Sequence, residues 1–116
     1  MAEETEVDSK HTLNKTRMIL TAKAQRLAYV LRGKNRRAVY QALLDNSRTL
    51  SEISIKTGIP ISNVSRVINQ LEQETLVENV TPFQKIGALY NLTNLALEFK
   101  PEFEEHMKFR ENSCKN

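Results

Sequence analysis

Six polar residues, Ser62, Asn63, Ser65, Arg66, Asn69 and Gln70, alternate with Val64, Val67, Ile68 and Leu71 at helical spacing. The stretch 61–74 is therefore expected to be a helix with one side anchored and the other open. The open side carries groups that match base edges in a duplex groove. A guanidinium forks onto guanine O6 and N7, a carboxamide pairs with adenine N6 and N7, and hydroxyls serve either. Arg66 suits guanine, Asn63 or Asn69 suits adenine, and the short Ser62, Asn63 and Ser65 occupy the end that enters a groove first. Any amphipathic surface helix exposes such residues, so the assignment belongs to the helix as a unit before it belongs to one contact.

Further candidates lie outside that helix. Lys34, Arg36 and Arg37 crowd the start of another helix, where the helix dipole disfavours positive charge. Contact with phosphate accounts for them, and so does a solvated basic turn. Thr49 and Ser51 open a short helix whose free amides and hydroxyls suit a phosphate, although simple capping explains Thr49 equally. Gln84 and Lys85 are placed to reach sugar and phosphate from a hairpin tip, while Phe83 and Ile86 are expected to pack against that hairpin. Charge is distributed to the same effect. Lys10 to Arg66 holds twelve Lys and Arg against Asp45 and Glu52, whereas Val67 onward holds five against eight Glu. A polyanionic partner follows from that asymmetry.

Catalysis finds little support. There is no glycine-rich phosphate loop, no Cys-His or Ser-His-Asp pairing and no carboxylate cluster. Cys114 is the single cysteine, so an internal disulfide and thiolate zinc patterns are excluded. It reads as a surface thiol, and His11 and His106 as isolated and solvated. Neither cofactor nor metal is expected. Apolar runs of membrane-spanning length are absent and the chain opens acidic, so a soluble cytoplasmic protein without membrane contact is expected.

The elements that must position these groups follow from pattern. Residues 1–17 are polar and acidic and read as a disordered tail. Met18 to Leu31 has helical periodicity, closed by Gly33. A second helix is expected from Asn35, as N-cap, to Leu44, burying Val39, Tyr40, Leu43 and Leu44. After the turn Asp45-Asn46-Ser47, Thr49-Leu50-Ser51-Glu52 has the form of a capping box and starts a helix over Leu50 to Thr57. Gly58-Ile59-Pro60 stops that helix and starts the one over Ile61 to Glu74. Leu76 to Val80 and Ala88 to Leu92 read as two strands around the loop Thr81 to Gly87. Thr93 caps a final helical region, 94–116, where Leu95, Phe99, Phe103 and Met107 recur every four residues, with a kink or helix restart at Lys100-Pro101. The whole is mainly α with a small β-hairpin, a winged helix-turn-helix over 18–93.

The segments Leu31-Arg32-Gly33-Lys34-Asn35-Arg36-Arg37, Leu50-Ser51-Glu52-Ile53 with Thr57-Gly58-Ile59, Val64-Ser65-Arg66 with Leu71-Glu72, Leu76-Val77, and Gly87 with Leu89-Tyr90-Asn91-Leu92-Thr93 together resemble archaeal winged-helix transcriptional regulators of the MarR and ArsR type. The resemblance implies sequence-specific binding of double-stranded DNA and regulation of transcription. It also implies a homodimer bridged by terminal helices, with Leu20, Leu27 and Leu31 on one stripe and Phe99, Phe103 and Met107 on the other. Packing of both stripes within one subunit is the alternative.

Two positions depart from the family pattern. Thr75 stands where a glycine usually ends the recognition helix, so a different helix end is expected, because a β-branched residue disfavours left-handed geometry. The wing lacks the arginines often found there. The cysteine pair of metal-sensing ArsR relatives is absent from Ser51-Glu52-Ile53-Ser54-Ile55, and a small-molecule effector stays open without a residue that specifies one. The weakly charged wing and acidic C-terminal third support a second reading, a winged-helix module that binds protein.

Overall fold

The computed structural model describes residues 22–81 and 87–114. The expected tail over 1–17, Leu20, and the hairpin-tip residues Phe83, Gln84, Lys85 and Ile86 lie outside them. Helix α1 covers 22–32 of the described chain. It is followed by α2 (Lys34–Leu44), α3 (Leu50–Thr57), α4 (Ile61–Gln73), β1 (Val77–Asn79), β2 (Tyr90–Leu92), α5 (Asn94–Leu97) and α6 (Lys100–Cys114). The order of helix, tight turn, helix and hairpin is that of a winged helix-turn-helix, as the patterning predicts.

Apolar burial organises the molecule around α2. Val39, Tyr40, Ala42 and Leu43 face Ile53 of α3 and Val64, Val67, Ile68 and Leu71 of α4, all buried. Leu76, Val77 and Leu92 extend this core beneath the hairpin, and Ala96, Phe99 and Phe103 close it. Tyr40 is the hub. Its ring lies 5.5 Å from that of Phe99 and 4.5 Å from that of Phe103. A buried phenol needs a hydrogen-bond partner, and Tyr40 donates to the Ala96 carbonyl at 2.7 Å. Burial, with Glu104 and Glu102 nearby, holds that phenol above its ordinary pKa.

Several expectations are corrected at element ends. The second helix starts at Lys34 with Gly33 as N-cap and no side-chain cap, so Asn35 lies inside its first turn. Gly33 is extended, with φ −101° and ψ 123°, and is not a left-handed terminus for α1. A Cβ there would lie 2.7 Å from the Arg36 guanidinium, so any other residue at this position displaces the end of that side chain. The interruption expected at Lys100-Pro101 is a helix restart, with α5 ending at Leu97 and α6 beginning at Lys100. Phe99 accepts from the Phe103 amide at 2.9 Å, and Pro101 sits in the first turn of α6, where its missing N–H costs nothing.

The strands are three residues each, shorter than the five expected, with Val77, Glu78 and Asn79 opposite Leu92, Asn91 and Tyr90. Side chains take over where the ladder ends. Asn79 Oδ1 accepts from the Thr81 amide at 2.8 Å, and Thr81 Oγ1 accepts from the Leu89 amide at 2.9 Å. Arg48 also pairs with Tyr90 through two backbone bonds of 3.0 and 2.9 Å, a bridge not anticipated from the turn signal at Asp45-Asn46-Ser47.

Candidate nucleic-acid interface

Local chemistry builds the helix-turn-helix almost residue by residue. Thr49 Oγ1 accepts from the Glu52 amide at 3.2 Å and the Thr49 amide donates to Glu52 Oε1 at 3.0 Å, the reciprocal box the sequence predicts. Those hydrogen bonds from Thr49 hold the Glu52 carboxyl below its ordinary pKa. At the other end of α3, Gly58 takes φ +76° and its amide bonds the Ser54 carbonyl at 2.9 Å. Ser54 Oγ donates to the Ile59 carbonyl at 2.6 Å, and Thr57 Oγ1 donates to the Ile53 carbonyl at 2.7 Å. Pro60 then serves as N-cap of α4, its carbonyl accepting from Asn63 and Val64.

With Val64, Val67, Ile68 and Leu71 buried, α4 turns its remaining side chains outward. Ser62, Arg66 and Asn69 are exposed, while Asn63, Ser65 and Gln70 are half-buried. At about 100° per residue, Ser62, Ser65 and Asn69 share one strip of the helix surface. Asn63, Arg66 and Gln70 share a neighbouring one. The second strip borders an open hollow whose other wall is Lys34, Asn35 and Arg36. Asn35 and Gln70 join the site only through this packing of α2 against α4, which spacing along the chain does not encode.

The C-terminus of α4 contradicts the expectation of a different helix end. Thr75 adopts φ +58°, the left-handed conformation a glycine would take. The Thr75 amide bonds the Glu72 carbonyl and the Leu76 amide the Leu71 carbonyl, both at 2.9 Å, which is the Schellman pattern with its apolar pair Leu71 and Leu76 buried. Two hydroxyls support the strained residue: Thr75 Oγ1 donates to the Glu74 carbonyl at 2.6 Å, and Thr93 Oγ1 to the Thr75 carbonyl at 2.7 Å. Arg26 Nε of α1 also reaches the Glu74 carbonyl, at 3.4 Å.

The remaining candidates separate by what their side chains already hold. Arg36 Nε donates to the Tyr29 carbonyl at 2.6 Å and its guanidinium lies 4.1 Å over the Tyr29 ring. Arg37 donates to the Leu31 carbonyl, and burial, reinforced by Arg110, lowers its pKa from the ordinary arginine value. Both cations thus sit on the C-terminal carbonyls of α1, a favourable position for positive charge, and this explains their presence at the start of α2 without a ligand. Lys34 and Ser51 are exposed. Thr49 is committed to its capping box.

The proposed dimer stripes also divide. Phe99 and Phe103 are 0% and 1% exposed and belong to the subunit's own core, a correction to their reading as interface residues. They line up at four-residue spacing because they pack on Tyr40. Leu27, Leu31 and Met107 are partly buried against the same core. Phe109, which the periodicity passed over, is 72% exposed on α6.

Among the described residues, no group of three His, Cys, Asp or Glu is placed to hold a metal ion, and no helix is long and apolar enough to cross a membrane.

No known protein family or curated protein matches the chain by sequence. Solved structures do match in fold. A homodimeric winged helix-turn-helix DNA-binding domain from Mycobacterium bovis, described as a possible ArsR-family transcriptional regulator, superposes with a TM-score of 0.62 at 16% identity, covering 85% of this chain and 88% of that one. Reduced HlyU from Vibrio cholerae gives 0.65 at 22% identity, over 82% and 96% of the two chains. The transcriptional repressor BigR from Xylella fastidiosa gives 0.63 at 16% identity, over 78% and 93%. The fold is therefore that of winged helix-turn-helix proteins.

Proposed function

We propose that this chain binds double-stranded DNA as a sequence-specific transcriptional regulator, with α4 in the major groove, α3 bracing it across the backbone and the hairpin as wing. The observation that carries the reading is the outward strip of Ser62, Ser65 and Asn69, with Arg66 beside it, on a helix anchored by four buried apolar residues. The DNA-binding and repressor descriptions of the structural neighbours support it. Ser51 at the start of α3 and Lys34 at the start of α2 are the flanking candidates for phosphate.

Selection of duplexes from a random DNA pool at two salt concentrations tests the function. Enrichment of a two-fold symmetric site with half-sites about 10 base pairs apart is expected of a dimeric regulator. Absence of binding even at low salt would overturn the reading, because phosphate contacts are strongest there.

The homodimer is part of the proposal, supported by the homodimeric neighbour from Mycobacterium bovis. With Phe99 and Phe103 committed to the core, Phe109 is the large apolar side chain on α6 with area to give. Phe109→Glu is expected to halve the mass in light scattering without lowering the melting temperature of the subunit. An unchanged mass removes Phe109 from the interface.

A further inference from the structure

The hollow between the start of α2 and the flank of α4 brings together Lys34, Asn35, Arg36, Asn63, Arg66 and Gln70. Three are cations, three are carboxamides and none is an acid. The only ion pair among the described residues joins Lys23 to Glu102 at 3.3 Å, so Lys34 and Arg66 have no acidic partner there. Arg36 is held in the wall by the Tyr29 carbonyl and ring. Positive charge is therefore fixed on one side of the hollow and free on the other, an arrangement that self-repels until an anion enters.

The chemistry of the lining differs from that of the base-reading strip. Ser62 and Asn69 are exposed, with the half-buried Ser65 between them on a single helix. Asn63, Arg66 and Gln70 instead face a second element, and a ligand between them must be narrow, anionic and rich in acceptors. The first turn of α2 adds no acid, and its N-cap offers no side-chain acceptor.

Resting on the DNA-binding reading, we propose that this hollow seats a backbone phosphate of the bound duplex between Lys34 and Arg66, with Asn63 and Gln70 as neutral donors. Arg66 then holds a strand in register and does not read guanine. An ammonium keeps the point charge that a phosphate contact needs but loses the planar fork of a guanidinium.

The test uses the full chain and the duplex that wild type selects. Dissociation constants are measured across a salt series for wild type, Lys34→Ala, Arg66→Ala and Arg66→Lys, and the pool selection is repeated with Arg66→Ala. Both side chains are exposed, so the variants keep the fold. Each alanine variant is expected to bind about tenfold more weakly at low salt and to lower the salt slope by about one. Arg66→Lys should retain the slope, and Arg66→Ala should enrich the same sequence as wild type. A changed preference at one base position with an unchanged slope overturns the inference and returns Arg66 to base reading. Wild-type affinity in both alanine variants overturns it as well. If wild type itself binds no duplex, the DNA-binding reading fails first and takes this inference with it.

Discussion

Both helices of the helix-turn-helix end in a left-handed residue, and the two ends are made differently. Gly58 closes α3 at φ +76° and Thr75 closes α4 at φ +58°. Glycine adopts that conformation freely, whereas for other residues it costs roughly 1–2 kcal/mol. The α3 end is therefore written into its own residue type. The α4 end is imposed by its surroundings: the Leu71 and Leu76 pair beneath it, the Thr93 hydroxyl beside it and the arginine reaching over from α1. A conformation that local sequence disfavours persists where several tertiary contacts agree on it.

Removing the support at Thr75 should have the largest effect. Thr93 Oγ1 donates to the Thr75 carbonyl and accepts from the Ala96 amide at 3.2 Å to cap α5, so Thr93→Ala is expected to cost about 2 kcal/mol in denaturant unfolding. A loss of a few tenths would show that packing alone holds the α4 terminus. Gly58→Ala should cost about 1 kcal/mol. A Cβ there meets nothing within 4 Å, so the change isolates backbone strain from crowding. The reciprocal substitution, Thr75→Gly, should stabilise by about 0.5 kcal/mol, strain relief outweighing the lost hydroxyl bond and the greater freedom of the unfolded chain. Destabilisation would mean that the Thr75 hydroxyl matters more than the φ angle.

The smallest effect concerns the opposite end of α3. The Glu52 carboxyl is held below its ordinary value by the Thr49 bonds, so its contribution is present above the unfolded carboxyl pKa and is lost as pH falls through the folded one. The difference in melting temperature between wild type and Glu52→Gln should be widest near neutrality and close in acid.

How much of this was legible along the chain follows the same division. The capping box, Gly58, Pro60 and the buried face of α4 depend on residues within a turn or two of each other, and each appears as patterned. Thr75, the Arg48 bridge to Tyr90, the hollow and the true employment of Arg36 and Arg37 depend on elements meeting in space. Arg36 and Arg37 show why composition misleads there: basic residues at the start of one helix were serving the end of the helix before it. Phe99 and Phe103 were visible as a stripe, but periodicity gives a face and not its neighbour, and Tyr40 decided that question.

The short strand β2 touches more than its length suggests. Tyr90 bonds Arg48, the residue before the cap of α3, and Thr93, immediately after β2, bonds the carbonyl that follows α4. One strand thus splints both ends of the helix-turn-helix, and the outward surface of α4 is presented on an ordered frame. A frame ordered in advance lowers the conformational entropy that any association through α4 would forfeit.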